Sequence, residues 1–286
     1  MLIIAGIVPA LHIPLLTDVV SQGQDSIIVS GYSIPCGQGT AATVSVALAV
    51  TDYLGLDSPR VALAGDKGSG EGSQKVYQYL INNIEKLKPR VLALHYWMPN
   101  LDLMRMLYKN IEKCSPRPIL IADAASMYTA KAAGLAPGFD IFTPDTSEMA
   151  FLADPEAFHP AYINKHLFKL DEDKIPELIN LAYKHQGAAK ILLVKGKRDI
   201  IADGGNILAT IDSPNIPAME CIGGTGDTIT GMCAALAYSG MSLDQAAIAS
   251  AKVNRMAGLL AAVNPASSIN AVIKQIPAAL AQALNT

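Results

Sequence analysis

Charge is what this sequence has least of. Only 16% of its residues are Asp, Glu, Lys or Arg, against 51% apolar, and the formal net charge is −3. A field that weak gathers neither nucleic acid nor anionic lipid, so neither is expected as a partner. The shortage is also uneven. No Lys or Arg precedes Arg60, so an anion bound early in the chain must be held by backbone N–H groups.

Cysteine is equally sparse. Cys36, Cys114, Cys221 and Cys233 show no CxxC or ligand-like spacing and read as free thiols. Export and membrane signals are missing as well. Met1–Leu16 is apolar but has no basic leader and is broken by Pro9, His12 and Pro14. Ser26–Thr51 carries no charge, yet Gly31, Pro35, Gly37, Gln38 and Gly39 interrupt it, and the apolar run beyond them is too short for a bilayer. A soluble, cytoplasmic chain is expected. Both common nucleotide motifs are absent: no GxxxxGK[ST] occurs, and Gly68, Gly70 and Gly72 lack GxGxxG spacing. What the composition supplies is core. A chain of 286 residues this apolar buries a large interior and leaves scope for a homo-oligomer.

Short β-branched runs alternate with longer helical patterns. Strands are predicted at Leu2–Ile7, Ser26–Ser30, Arg60–Ala64, Arg90–Leu94, Ile119–Ala122, Asp140–Phe142, Ile191–Val194 and Asp199–Ala202. Most are almost wholly apolar, as strands covered on both faces are. Helices are predicted near Thr40–Leu54, Gly72–Lys86, Leu101–Lys113, Thr146–Ala153, Ile175–Gln186, Asp227–Ser239 and Leu243–Val263. This alternation predicts an α/β fold: a doubly wound, mainly parallel sheet with helices on both faces, in three layers. Right-handed crossovers then put the strand-to-helix loops along one edge. Gly240 sits where a left-handed C-cap belongs, and Ser242 with Gln245 has capping-box spacing. No linker divides the chain, so one domain over 1–286 is the simpler expectation. Asp154–Pro176, with His159 and His166, is the most polar stretch and reads as a surface excursion or lid, without metal-like spacing.

The sharpest local feature is Gly223-Gly224-Thr225-Gly226-Asp227, set directly before an alanine-rich helix. Glycines let backbone N–H groups converge, and a helix N-terminus adds about half a positive charge. Together they suit a phosphoryl group. A carboxylate that only bound phosphate would repel it. Asp227 makes sense as the base that takes a proton from an attacking hydroxyl. The competing reading is a helix cap above an ordinary turn.

Gly224-Thr225-Gly226-Asp227 at the start of the penultimate long helix resembles the anion-hole motif of the ribokinase-like superfamily. Three further stretches are similar to that superfamily: Gly37-Gln38-Gly39-Thr40 before a helix, Val61–Gly72, and Asp140–Leu152 with its acidic turn. Within it, Leu193–Gly231 resembles the ATP- or ADP-dependent NAD(P)HX dehydratases, as do Phe142-Thr143-Pro144 with Glu148 and Ala122-Asp123-Ala124. Two places depart. The chain reads Leu94-His95-Tyr96-Trp97-Met98-Pro99 where those dehydratases carry a Gly-Pro-Gly-Leu-Gly turn, and Asp145 replaces their histidine before the glutamate.

The resemblance implies ATP or ADP as co-substrate, Mg²⁺, and a small-molecule substrate. It implies Asp227 as base, Gly223–Gly226 as anion hole, and Glu148 as the residue ordering magnesium. Asp145 shares that role or caps its helix. Lys195 and Gly196 follow a strand on the active edge, where the ammonium reaches nucleotide phosphate or is a surface lysine. Asn254 is expected near the nucleotide base. Gly37, Gln38, Gly39, Asp66 and Asp123 are expected on the substrate side, Asp123 alternatively as a turn residue. His95, Tyr96 and Trp97 end a strand there, the aromatic pair either stacking on a planar ring or filling the core. Three functions follow: a dehydratase of hydrated NAD(P)H working through phosphorylation, a kinase for a sugar or vitamin-precursor alcohol, and a non-catalytic nucleotide-binding protein. The intact Asp227 speaks against the third.

Overall fold

The computed structural model describes residues 1–157 and 172–284. An eight-stranded sheet runs through it in the order β11-β10-β9-β8-β7-β6-β1-β5. The strands are β1 (Leu2–Val8), β5 (Arg60–Gly65), β6 (Val91–His95), β7 (Ile119–Ala122), β8 (Ile141–Phe142), β9 (Ile191–Val194), β10 (Asp199–Asp203) and β11 (Asn206–Ile211). All pairings from β5 to β9 are parallel, and β10 and β11 close that edge antiparallel.

Strand side chains alternate between two apolar faces, because both faces are covered. Ile4, Val61, Ala93, Ile121 and Leu193 point into one core, with α1 (Thr40–Tyr53), α7 (Thr225–Ser239), α8 (Leu243–Leu260), α9 (Ile269–Ile273) and α10 (Ile276–Leu284). Ile3, Ala62, Leu92, Leu120 and Leu192 point into the other, with α2 (Glu71–Leu87), α3 (Leu101–Ile111), α4 (Ala124–Ala132), α5 (Thr146–Ala153) and α6 (Ile175–Lys184). The helices match their positions. In α3 only Met104, Leu107 and Ile111 are buried, a single stripe, whereas nearly every residue of α1 and α7 is. Those two pack closely because Gly231 has no Cβ to strike the Thr43 carbonyl.

Chain order reverses at β1, which lies between β5 and β6. An open α/β sheet leaves its crevice at such a point, beyond the carboxyl ends of the strands. Gly6 serves this crevice: a Cβ there would overlap the His95 carbonyl and the Thr40 hydroxyl.

Four details depart from the sequence pattern. Ser26–Ser30 does not join the central sheet. Its Ser26–Val29 is β3 of a separate antiparallel sheet with β2 (Ser21–Gln22) and β4 (Tyr32–Pro35), whose Ile27, Val29 and Ile34 seal the first core. Helix α4 follows β7 with only its N-cap Asp123 between them, and β11 forms a hairpin after Gly204 and Gly205, two elements that hydropathy alone does not mark. Ser242 is the N-cap of α8 but makes no side-chain capping bond, so the expected capping box is not formed. Gly240 does end α7 in the left-handed conformation, at φ 103°. The excursion expected at Asp154–Pro176, with His159 and His166, falls largely outside the described residues. No helix among the described residues is long and apolar enough to cross a membrane.

Candidate active site

Four strands deliver a polar residue to the same edge. His95 ends β6, Asp123 follows β7, Thr143 follows β8 and Lys195 follows β9. Helix α7 arrives across this edge with its N-terminus, placing Asp227 at its third position. Gly224 caps that helix at φ 101°, a conformation that would strain any residue with a side chain.

Asp227 is held from both sides. Its Oδ2 accepts from the Gly39 N–H at 2.5 Å, and its Oδ1 lies 3.1 Å from His95 Nε2. Burial pushes this carboxyl up, but the bond and charge of His95 reverse that and keep it below its ordinary value. His95 is fully buried, with Nδ1 3.2 Å from the Thr40 hydroxyl and Nε2 3.6 Å from Asp123 Oδ2. Burial opposes a charged imidazole, yet Asp123 and Asp227 outweigh it and hold the His95 pKa up at about 9.

Asp123 is the hub of the buried network. It accepts from Lys195 Nζ on both oxygens, at 2.9 and 2.8 Å, and from the Thr230 hydroxyl at 2.5 Å. Thr230 in turn meets the Thr143 hydroxyl at 2.8 Å. Burial would raise Asp123, but Lys195 and His95 hold it well below the carboxylate range. Lys195 shows the converse: burial lowers it, and Asp123 and Glu148 push it above its ordinary value.

Glu148 and Asp145 form a capping box on α5. Asp145 Oδ1 accepts from the Glu148 N–H at 2.8 Å, and Glu148 Oε2 accepts from the Asp145 N–H at 2.7 Å. Tyr128 donates to Glu148 Oε1 at 2.9 Å. Burial first, then the charges of Asp145 and Asp123, push the Glu148 carboxyl up to about 8. This concentration of negative charge suits a hard divalent cation that takes oxygen ligands.

Asp123, Asp145, Glu148, Lys195 and Asp227 line a cavity of about 1050 Å³. Of the residues singled out from sequence, Gln38, Asp123, Asp145, Glu148, Lys195, Gly196, Gly224, Thr225, Gly226, Asp227 and Asn254 are in its wall. Gly37 and Gly223 stand just behind it: the Gly37 carbonyl packs against Gly224, and Gly223 packs against the Gln38 amide. Gly39 reaches the site only through its N–H.

Asp66 is the exception. Its carboxylate accepts from the N–H groups of Gly68, Gly70 and Ser73 and from the hydroxyls of Ser69 and Ser73, all in its own loop and the first turn of α2. It is not among the cavity-lining residues, so the structure gives it a loop-ordering place. Asn254 is likewise occupied. It donates to the Thr225 carbonyl at 3.1 Å and accepts from the Thr228 hydroxyl at 2.7 Å, steadying the first turn of α7.

The aromatic run at the end of β6 divides. Trp97 is buried and stacks on Tyr77 with centroids 4.1 Å apart, a core contact. Tyr96 is 51% exposed at the cavity wall, in the left-handed region at φ 42°. Sequence reading did not single out His95 as an Asp227 partner, nor Thr40, Thr143, Thr230 or the pair Arg255–Asp199. Arg255 Nε donates to Asp199 Oδ2 at 2.7 Å, and its Nη2 donates to the carbonyls of Gly196 and Lys197 at 3.0 and 2.9 Å. Thr230 had a readable signal, since it lies one helical turn beyond Asp227 on the same face.

Comparison with known proteins bears on this geometry. The sequence profile described as NAD(P)H-hydrate dehydratase matches residues 99–277. An uncharacterized protein of Methanocaldococcus jannaschii is 36% identical over 241 residues, covering 84% of this chain and 99% of that one. The bifunctional NAD(P)H-hydrate repair enzyme Nnr of Hyperthermus butylicus is 38% identical over 113 residues, which is 39% of this chain and 20% of that protein. In structure, the pyridoxal kinase of Staphylococcus aureus in complex with pyridoxal superposes with a TM-score of 0.56 at 13% identity, covering 89% of this chain and 86% of that one. That likeness is one of fold, and the fold is ribokinase-like.

Proposed function

This chain belongs to the NAD(P)H-hydrate dehydratase family, and from that premise we propose that it dehydrates hydrated NADH or NADPH with ATP or ADP as phosphoryl donor. The observation that carries the reading is the place of Asp227. An ionised carboxylate stands at the glycine-lined N-terminus of α7, facing a cavity wide enough for two small-molecule substrates.

In this reading Asp227 takes the proton of the ring hydroxyl as its oxygen attacks the terminal phosphorus. The bond from phosphorus to the donor's bridging oxygen breaks, and the shortened nucleotide leaves. The N–H groups of Gly223–Gly226 and the α7 dipole stabilise charge on the transferring group. Such preorganised donors contribute roughly 2.7–4 kcal/mol each in acyl-transfer precedents. The ring nitrogen lone pair then expels phosphate to leave an iminium ion, and loss of a proton from the adjacent ring carbon to water restores the ring double bond. Asp145 and Glu148 are the residues placed to hold Mg²⁺ and its waters, an ion that supplies charge neutralisation for nucleotide phosphates. Lys195, tied to Asp123, contributes positive potential at the cavity wall. Gln38 and Tyr96 are placed toward the substrate. The two cores each draw on residues far apart in the chain, which supports residues 1–286 working as one unit.

The test is direct. Incubation with hydrated NADH, Mg²⁺ and either ATP or ADP is expected to regenerate NADH absorbance together with stoichiometric phosphate. Nucleotide consumption with a sugar or vitamin-precursor alcohol, and none with hydrated NADH, would make the protein a kinase that stops at the phosphate ester.

A further inference from the structure

His95 lies outside the segment that matches the family profile, on a strand end whose sequence departs from the dehydratase pattern. Its surroundings specify a protonation state. Among the described residues, Nε2 faces only carboxylate oxygens, Asp227 Oδ1 at 3.1 Å and Asp123 Oδ2 at 3.6 Å. An ionised carboxylate accepts and never donates, so Nε2 carries a hydrogen. Nδ1 faces the Thr40 hydroxyl at 3.2 Å, while that hydroxyl has the His95 carbonyl at 3.4 Å as acceptor for its own hydrogen. Thr40 is then free to accept from Nδ1. Both ring nitrogens thus have an acceptor within reach, the arrangement that an imidazolium needs in a fully buried site.

We propose that His95 is a positioning residue that acts through Asp227: a clamp charged at neutral pH that keeps the base ionised and fixes its orientation toward the cavity. Each Asp227 oxygen then has one fixed donor, His95 on Oδ1 and the Gly39 N–H on Oδ2. The remaining lone pairs are left for the substrate hydroxyl. The clamp matters because the neighbourhood is otherwise anionic. Asp123 faces the ring from the end of β7, and the donor's phosphates add further negative charge. Lys195, from the end of β9, is already committed to Asp123. Without His95 this field would favour a protonated, inactive Asp227 at neutral pH. The backbone is shaped for the arrangement: Gly6 admits Thr40 beside the ring, and Tyr96 turns the chain off the strand at φ 42°.

The activity consequence rests on Asp227 being the base; the charge state does not. Nitrogen-15 NMR of wild-type protein labelled in histidine reads the charge state directly. Two protonated ring nitrogens for His95 at pH 7, with the ring titrating above pH 8, are expected; one unprotonated nitrogen at pH 7 overturns the proposal. The signal is assigned by its loss in His95→Gln or, where that variant does not fold, by its shift in Thr40→Val.

His95→Gln keeps a donor near Asp227 but removes the charge. Carbon-13 NMR of aspartate-labelled protein is expected to show the Asp227 carboxyl titrating at least one pH unit higher in the variant. With hydrated NADH, kcat at pH 7 is expected to fall 10- to 100-fold, its acid limb to move up by a similar interval, and the nucleotide KM to change less than threefold. An unmoved Asp227 titration in folded His95→Gln overturns the clamp. Wild-type protein that turns over neither hydrated NADH nor an alcohol would refute the proposed function, and the two NMR readouts would still decide the clamp.

Discussion

Lys195 and Asp123 form a two-point pair, with the ammonium donating to both carboxylate oxygens at 2.9 and 2.8 Å. The pair joins the ends of β7 and β9 across the cavity wall, so the lysine expected at a nucleotide phosphate reaches the cavity with its charge already matched. Lys195→Met would leave Asp123 buried beside His95 and Thr230 alone. Removing one partner of a buried pair costs about 3–5 kcal/mol. Chemical denaturation is expected to show a loss of that order, and the double variant Lys195→Met, Asp123→Asn is expected to recover part of it. A single variant as stable as wild type would mean that water reaches Asp123 freely.

Asp227→Asn tests the base. His95 and Gly39 each donate to one Asp227 oxygen, and an amide offers only one oxygen, so one donor is left facing an NH₂ group. A stability loss of about 1–3 kcal/mol is expected from that unsatisfied bond. The protein is expected to stay folded, while turnover with hydrated NADH falls by about 10²–10⁴-fold, the range for loss of a general base. Near-normal turnover in a folded variant would leave Asp227 a helix-end acid and nothing more.

Much of this was legible in the sequence, for identifiable reasons. Strands buried on both faces, such as Ile191–Val194, are unbroken apolar runs, and Gly224-Thr225-Gly226-Asp227 carries its geometry in its glycines. Asp123 and Lys195 could be placed on the active edge because a parallel sheet puts every strand end there. What could not be read was who pairs with whom. His95, Thr40, Asp123 and Asp227 come from four elements, and no local spacing marks their meeting. Asp66 shows the same limit locally: a Gly-Asp-x-Gly turn reads alike whatever its carboxylate faces, and here the carboxylate accepts from the turn and from Ser73.

Stability should depend on pH through His95. Its pKa rises from the ordinary 6.5 to about 9 on folding. A group raised in this way contributes stability fully below pH 6.5 and loses it as pH climbs through 9. Thermal unfolding is therefore expected to show a decline between those values, on the order of 1–3 kcal/mol. His95→Gln should be less stable than wild type at pH 6 and flatter over the same interval. A wild-type profile without this decline would mean that His95 is neutral in the folded protein.

Metal dependence should turn on Glu148. Burial and the nearby Asp145 and Asp123 push its carboxyl up to about 8, a site that gains from a cation. Mg²⁺ keeps several waters and takes few protein carboxylates, so a residue that positions its waters matters through affinity rather than proton transfer. Glu148→Gln removes the charge, while its amide oxygen can still accept the Asp145 N–H that closes the capping box. The magnesium concentration for half-maximal rate is expected to rise about tenfold, equal to about 1.4 kcal/mol. Excess metal should restore most of kcat. The measurement is a magnesium titration of wild type and variant at saturating nucleotide. If the two curves coincide, Glu148 is a first-turn acid that completes the α5 cap, a role worth about 0.3–1 kcal/mol of stability and separate from the chemistry.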